Sequence, residues 1–320
     1  MKRKISIAIL LAAVFILALN CLSGCGTGGS EEKTEDSAVD SQAVTIVTSF
    51  YPMYVLTLNI TEGIDGVEVV NMAQPQTGCL HDYQLSTADM KILDSADVLV
   101  VNGAGMESFL DKVTEQLPEM QVITASEGMD LLEHEHEVHG GDAHVHSNPH
   151  VWVSPMGAAQ EVKTIAAGLA GVDPVHAEQY QANADAFVKE LEILKADMQE
   201  KLDTLPNRKL VTFHEAFPYF AQEFNFEIAA VIENEPGQEP VASEIDKIIS
   251  TIRENNIPAI FVEAQYADQT ARIIASEAGV DVYELDLVTT GSMEQSPEEI
   301  RDSYVKAMQK NLDVFMEALQ

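Results

Sequence analysis

A chain of 320 residues with 52 acidic against 18 basic side chains, formal charge −34, presents a surface that repels nucleic acid and anionic lipid and attracts cations. Its 46% of hydrophobic residues suffice for two cores of ordinary size, and three cysteines are too few for a disulfide-stapled scaffold.

Lys2, Arg3 and Lys4 precede an apolar run over residues 5–19, the pattern of an export signal. The run is shorter than the roughly 20 residues that span a bilayer, so a permanent membrane helix is the weaker reading. Leu22-Ser23-Gly24-Cys25 follows and resembles the lipobox of bacterial lipoproteins. That resemblance implies a signal peptide over residues 1–24 and a diacylated Cys25, which would hold the protein on a membrane surface without spanning it. Residues 25–43 are Gly, Ser, Thr and acid with little to bury, and are expected to be a flexible tether. Cys21 leaves with the signal and Cys25 carries lipid, so Cys79 is left without a disulfide partner in its own chain.

The folded part is expected from residue 44. A short β-branched run (44–50), a helix (53–61), a strand (67–72), a helix (87–95), an apolar strand (98–101), a helix (107–116) and a strand (121–123) alternate, which predicts an α/β lobe with a mostly parallel sheet over residues 44–172. Within it, residues 133–155 hold six of the nine histidines. Neutral imidazole is the commonest ligand for zinc and its neighbours, so this tract points to metal. Residues 133–147, with His134, His136, His139, His144 and His146, are polar and without apolar period, and are expected to be a mobile metal-collecting loop. Residues 148–155, with His150, the only Trp and two prolines, are expected to be an ordered anchor. A zincin helix is excluded, because Val138 and Gly140 stand where the second His of His-Glu-x-x-His would be.

Next, Tyr180, Ala184, Phe187, Leu191, Leu194, Met198 and Leu202 recur at steps of three and four after Asp173-Pro174. They predict one long connecting helix over residues 173–205, reaching about 45 Å at about 1.5 Å per residue. The alternation then restarts over residues 206–320, with strands at 209–213, 227–232, 259–262 and 282–285 and helices at 216–223, 243–254, 268–278 and 297–319. Two α/β lobes joined by a helical spine result, alike in pattern but without a close sequence repeat.

In open α/β sheets ligands bind beyond the carboxyl ends of the strands. His81, His150, His214 and Asp286 all fall in such positions, whereas His176, near the helix start, reads as a structural residue. Three His-bearing segments, QPQTGCLHDYQLSTADM, NPHVWVSP and HEAFPYFAQEF, resemble those of the metal-specific solute-binding proteins of bacterial ABC transporters. ENEPGQEPVASEI, FVEAQYADQTARIIASEAG and the Asp286 region extend the resemblance over nearly all of the chain from residue 44.

The resemblance implies a metal in the cleft between the lobes, held by His81, His150, His214 and a carboxylate at Asp286. Two departures stand out: Asp286-Leu287-Val288-Thr289 replaces the usual Asp-Pro-Leu-Gly, and Leu80 replaces the Glu that precedes the first ligand in some zinc members. Manganese members generally carry Glu in place of the third His, so His214 argues for Zn2+ over Mn2+. Asp82, Glu215 and Glu263 are candidates for orienting the rings, and Cys79 is expected to be an inert buried thiol.

These expectations describe a monomeric, lipid-anchored protein outside the cytoplasmic membrane. It captures Zn2+ and hands it to an ABC permease and its ATPase, without catalysis and without binding nucleic acid. The alternatives are a manganese-binding component or adhesin of the same fold, or a zinc hydrolase using Glu215 or Asp286 as base.

Overall fold

The computed structural model describes residues 43–136, 144–233, 240–266, 268–292 and 294–320. The signal segment, Cys25, nearly all of the tether and His139 lie outside them. Among the described residues no helix is long and apolar enough to cross a membrane.

The first lobe runs β1 (Val44–Thr48), α1 (Tyr51–Ile60), β2 (Val67–Asn71), α2 (Thr87–Asp94), β3 (Val98–Val101), α3 (Leu110–Gln116) and β4 (Gln121–Thr124). Its four strands form a parallel sheet in the order β2-β1-β3-β4. All four residues of β3 are fully buried, as expected where helices cover both faces of a parallel sheet. An antiparallel hairpin follows, β5 (Glu133–His136) with β6 (His144–Ser147).

Two helices then lead out of the lobe, α4 (Pro155–Val172) and α5 (Ala177–Leu202). The second lobe has β7 (Lys209–Thr212), α6 (Pro218–Phe224), β8 (Glu227–Val231), α7 (Ala242–Glu254), β9 (Ala259–Glu263), α8 (Gln269–Ala278), β10 (Asp281–Leu285), α9 (Pro297–Arg301) and α10 (Ser303–Ala318). Its sheet is also parallel, in the order β10-β9-β7-β8. Counted from its own first strand this is the same order as in the first sheet. In each, the chain reverses winding beside the first strand, and the loops leaving the carboxyl ends diverge to open a crevice.

The long helix is shorter than expected. Its 26 residues reach about 39 Å. It begins at Ala177 because Asp173 organises the turn before it, accepting hydrogen bonds from His176 Nδ1 at 2.6 Å and from the Tyr180 hydroxyl at 2.9 Å. Those two donors outweigh the effect of burial and hold the Asp173 carboxyl below its usual range. His176 is thus a structural residue. All seven positions of the expected apolar stripe are buried, and α5 packs against α1, α4 and α10. It ties elements of both lobes into one continuous core.

Three expectations need correction. Helix α4 has no counterpart in the sequence reading, because its Gly157, Gly168 and Gly171 and its small residues weaken both propensity and apolar period. Gly168 is there for packing: a Cβ would stand 2.7 Å from Ile123 Cγ1, so the helix lies directly on β4. The ends of the His-rich tract are paired strands rather than loop. The helix expected over 297–319 is broken at Asp302, where the Ser303 hydroxyl turns back to donate to the Ile300 carbonyl at 2.6 Å.

Phe315 of α10 lies with its ring centre 5.1–5.7 Å from those of Phe220, Phe226 and Phe261, joining α6, β9 and the C-terminal helix. It is fully buried. Phe315→Ala should lower the unfolding free energy by about 3–5 kcal/mol, read by urea denaturation, with metal stoichiometry unchanged.

Candidate metal centre

His150 lies within the anchor segment and His214 follows β7, and both are buried, at 3% and 1% exposure. Their Nε2 atoms are 3.4 Å apart. The ring centre of His81, a half-buried residue in the loop after β2, is 5.4 Å from that of His150. The Cys79 thiol joins them, with Sγ 3.7 Å from His150 Nε2. Among the described residues, Cys79, His150 and His214 form the group whose ligand atoms all lie within 4.8 Å of one another.

The neighbours of each ring decide which nitrogen faces the centre. His150 Nδ1 is 3.1 Å from Asn148 Oδ1, and the same oxygen accepts the His150 backbone N–H at 3.0 Å. An amide oxygen only accepts, so Nδ1 carries the proton and Nε2 presents its lone pair. His214 Nδ1 lies 3.1 Å from Glu263 Oε1 on a fully buried carboxylate. The angle is too poor for a hydrogen bond, and both Glu263 oxygens and His214 Nδ1 are otherwise without partners. The contact is therefore mainly electrostatic.

Two imidazole Nε2 atoms facing each other at 3.4 Å share either a hydrogen, in an N–H···N hydrogen bond, or a metal ion. A tetrahedral ion bound at about 2.0–2.1 Å to each nitrogen separates them by about 3.3 Å, and the observed spacing meets that requirement. The charge environment agrees. Burial lowers His150 to about 4, so it is neutral and ready to ligate at physiological pH. Burial would lower His214 too, but the Glu263 carboxylate and the Cys79 thiol overturn this and push it up to about 10. Burial raises the Cys79 thiol, yet hydrogen bonding with His150, His214 and His81 prevails and holds it well below the ordinary thiol range.

The scaffold around His150 is continuous. Glu107 accepts the Ser49 hydroxyl and the Asn102 and Gly103 backbone N–H groups at 2.8–2.9 Å, joining the ends of β1 and β3. The Asn102 amide donates to the Pro149 carbonyl at 2.9 Å. The Asn148 amide donates to the Glu215 carbonyl at 2.8 Å, so one side chain orients His150 and grips the residue after His214. Trp152, fully buried, donates from Nε1 to the Leu287 carbonyl at 2.8 Å, and its own carbonyl accepts the Tyr304 hydroxyl at 2.7 Å.

The remaining expected site residues are placed differently. Asp286 stands at the end of β10 as anticipated, but its Oδ1 accepts the Val288 backbone N–H at 2.8 Å and it does not join the converging donors. Asn311 holds that turn through both backbone groups of Asp286, at 2.7–2.8 Å, and Val288 has φ +60. Asp82 is exposed; Glu215 is half-buried. The hairpin register sets His134 against His146 and His136 against His144. The roles of Asn148, Asn102 and Glu107 escaped the sequence reading. For Asn148 the signal was present, a polar residue inside NPHVWVSP, but its partner lies 67 residues away.

The family model described as zinc-uptake complex component A, periplasmic (ZnuA), matches residues 46–318. The high-affinity zinc uptake system protein ZnuA of Bacillus subtilis is 28% identical, covering 100% of this chain and 99% of that protein. The manganese-binding lipoprotein MntA of Halalkalibacterium halodurans is 26% identical over 95% and 97%. A crystal structure of ZnuA is 30% identical with a TM-score of 0.74, covering 87% of this chain and 100% of that one.

Replacing Asn148 by Ala should free the His150 ring and weaken zinc binding by about 10–100-fold. Calorimetric titration reads the affinity, and circular dichroism should show the secondary structure retained.

Proposed function

Because this chain belongs to the ZnuA family of periplasmic zinc-uptake components, we propose that it captures Zn2+ outside the cytoplasmic membrane and delivers it to an ABC permease driven by its ATPase. The observation that carries this reading is the buried pair of facing Nε2 atoms between the two sheets, with His81 alongside. Zinc is the cargo. His150 and His214 would hold it by nitrogen, His81 would close over it from the half-buried side, and Asn148 and Glu263 would orient the two buried rings. Capture exchanges protons on the ligands for the ion and transforms no substrate.

Nitrogen-rich sites suit zinc better than manganese, which prefers oxygen donors. The signal segment 1–24, lipidation at Cys25 and a tether to residue 43 complete the proposal: the folded lobes would stay near the permease while the anchor keeps them from diffusing away. The histidine hairpin is well placed to feed the site. The Asn148 N–H donates to the Leu132 carbonyl at 2.7 Å, and the Tyr219 hydroxyl bridges the Leu132 N–H and the Asn148 carbonyl at 3.0 and 2.8 Å. The hairpin therefore springs from the residue that positions His150. Its side chains would gather ions by weak, exchangeable contacts.

His214→Ala or His150→Ala should abolish the tight zinc event in a titration of the metal-stripped protein; tight binding that persists in both would refute the site. Metal binding must displace the proton that His214, pushed up to about 10, carries at neutral pH. The free state holds that proton and the bound state does not, so acid favours the free state. Zinc affinity should fall about tenfold per pH unit between roughly pH 9 and 6. Calorimetry in buffers of different ionisation heat should find about one proton released per ion. Deleting residues 133–147 should slow uptake when zinc is scarce and leave tight binding to the purified protein intact; unchanged uptake would remove the hairpin from the mechanism.

A further inference from the structure

The fourth protein ligand is the open question of this site. The resemblance points to Asp286, yet one oxygen of that carboxylate closes a turn on the Val288 N–H. The converging donor is sulfur. Cys79 Sγ lies 3.7 Å from His150 Nε2. A tetrahedral ion with bonds of about 2.3 Å to sulfur and about 2.0–2.1 Å to nitrogen separates the two by about 3.6 Å. Each pair separately matches the spacing that a tetrahedral ion imposes, and the three donor atoms all lie within 4.8 Å of one another.

The backbone is built to aim the thiol. Gly78 has φ +79, in the left-handed region that favours glycine, and turns the chain immediately before Cys79. On the other side the Leu80 N–H donates to Met106 Sδ at 3.3 Å, and the Leu80 side chain is fully buried. The loop is held at both ends of the cysteine. The second wall is independent of it: Glu263, 1% exposed and with its Oε1 3.1 Å from His214 Nδ1, stands behind His214 and supplies negative charge beside the centre.

We propose that Cys79 ligates the cargo as a thiolate, making a one-sulfur, three-nitrogen site with His81, His150 and His214 and leaving Asp286 as a turn residue. This rests on the zinc-capture reading and deepens it. On binding, the S–H bond is replaced by a sulfur–metal bond and any proton still on sulfur leaves to solvent; no electron is transferred. Thiolate is a soft donor, so the site selects thiophilic ions such as zinc and cadmium and rejects manganese more strongly than three imidazoles and a carboxylate would.

The probe is Co2+, whose spectrum separates ligand type from occupancy. The full chain, reduced and stripped of metal, is titrated with Co2+ and followed by absorption. The expected result is visible bands of tetrahedral cobalt together with a near-ultraviolet thiolate-to-cobalt charge-transfer band, saturating together at one ion. Cys79→Ser should lose the charge-transfer band and keep the visible bands. In competition it should lower zinc preference over manganese by at least the roughly tenfold that loss of an orienting partner costs. Visible bands without charge transfer in the unmodified chain would overturn the thiolate while leaving the histidine site intact. Cobalt bound equally well by His150→Ala and His214→Ala would overturn the site itself, and the thiolate with it.

Discussion

Two buried imidazoles whose Nε2 atoms face each other at 3.4 Å are the constraint on which the rest depends. In that pose the two atoms share either the hydrogen that a protonated His214 supplies or a metal ion that displaces it. Asn148 and Glu263, each 3.1 Å from the far nitrogen of one ring, hold the two rings in that pose. The pose has to be maintained by the fold, and much of the hydrogen bonding near the cleft does this.

The maintenance comes from both lobes. Glu107 and Asn102 gather the strand ends of the first sheet behind Pro149, while β7 and β9 bring His214 and Glu263 side by side from the second. Trp152 links the anchor to the loop after β10 and to α10. Across the cleft, the Gly291 N–H donates to the Pro75 carbonyl at 2.9 Å and the Tyr51 hydroxyl to Gln295 at 3.2 Å. Gly291 is required there, because a Cβ would overlap the Tyr51 ring. With the Asn148 and Trp152 bonds and the continuous core along α5, these contacts fix the spacing of the donors.

Much of this was legible in the residue order. The short β-branched apolar run Val98–Val101 suits a buried parallel strand, and the three-and-four spacing from Tyr180 to Leu202 suits a packed helix, and the structure has β3 and α5 there. His81, His150 and His214 each lie beyond a strand end, where a sheet of this kind binds ligands, and they meet there. Helix α4 was hidden because its glycines answer to packing on β4 and not to helix propensity. The hairpin was hidden because strand pairing of polar segments leaves no apolar alternation to find. Local turns decide where the Cys79 and Asp286 side chains go: Gly78, with φ +79, precedes Cys79, whose Sγ lies 3.7 Å from His150 Nε2, while one Asp286 oxygen accepts the Val288 N–H.

By itself, the sequence determined that the chain is acidic, with two parallel α/β lobes, a helical spine and histidines placed beyond the strands. These follow from composition, periodicity and strand-end position, which are properties of single segments. Only the tertiary structure decided which nitrogen of each ring faces the centre, that Asn148 and Glu263 set this, and that sulfur converges there while the Asp286 carboxylate does not. Those are distances between segments dozens of residues apart, such as the 71 between Cys79 and His150. No local pattern encodes them, because packing of the two lobes creates them.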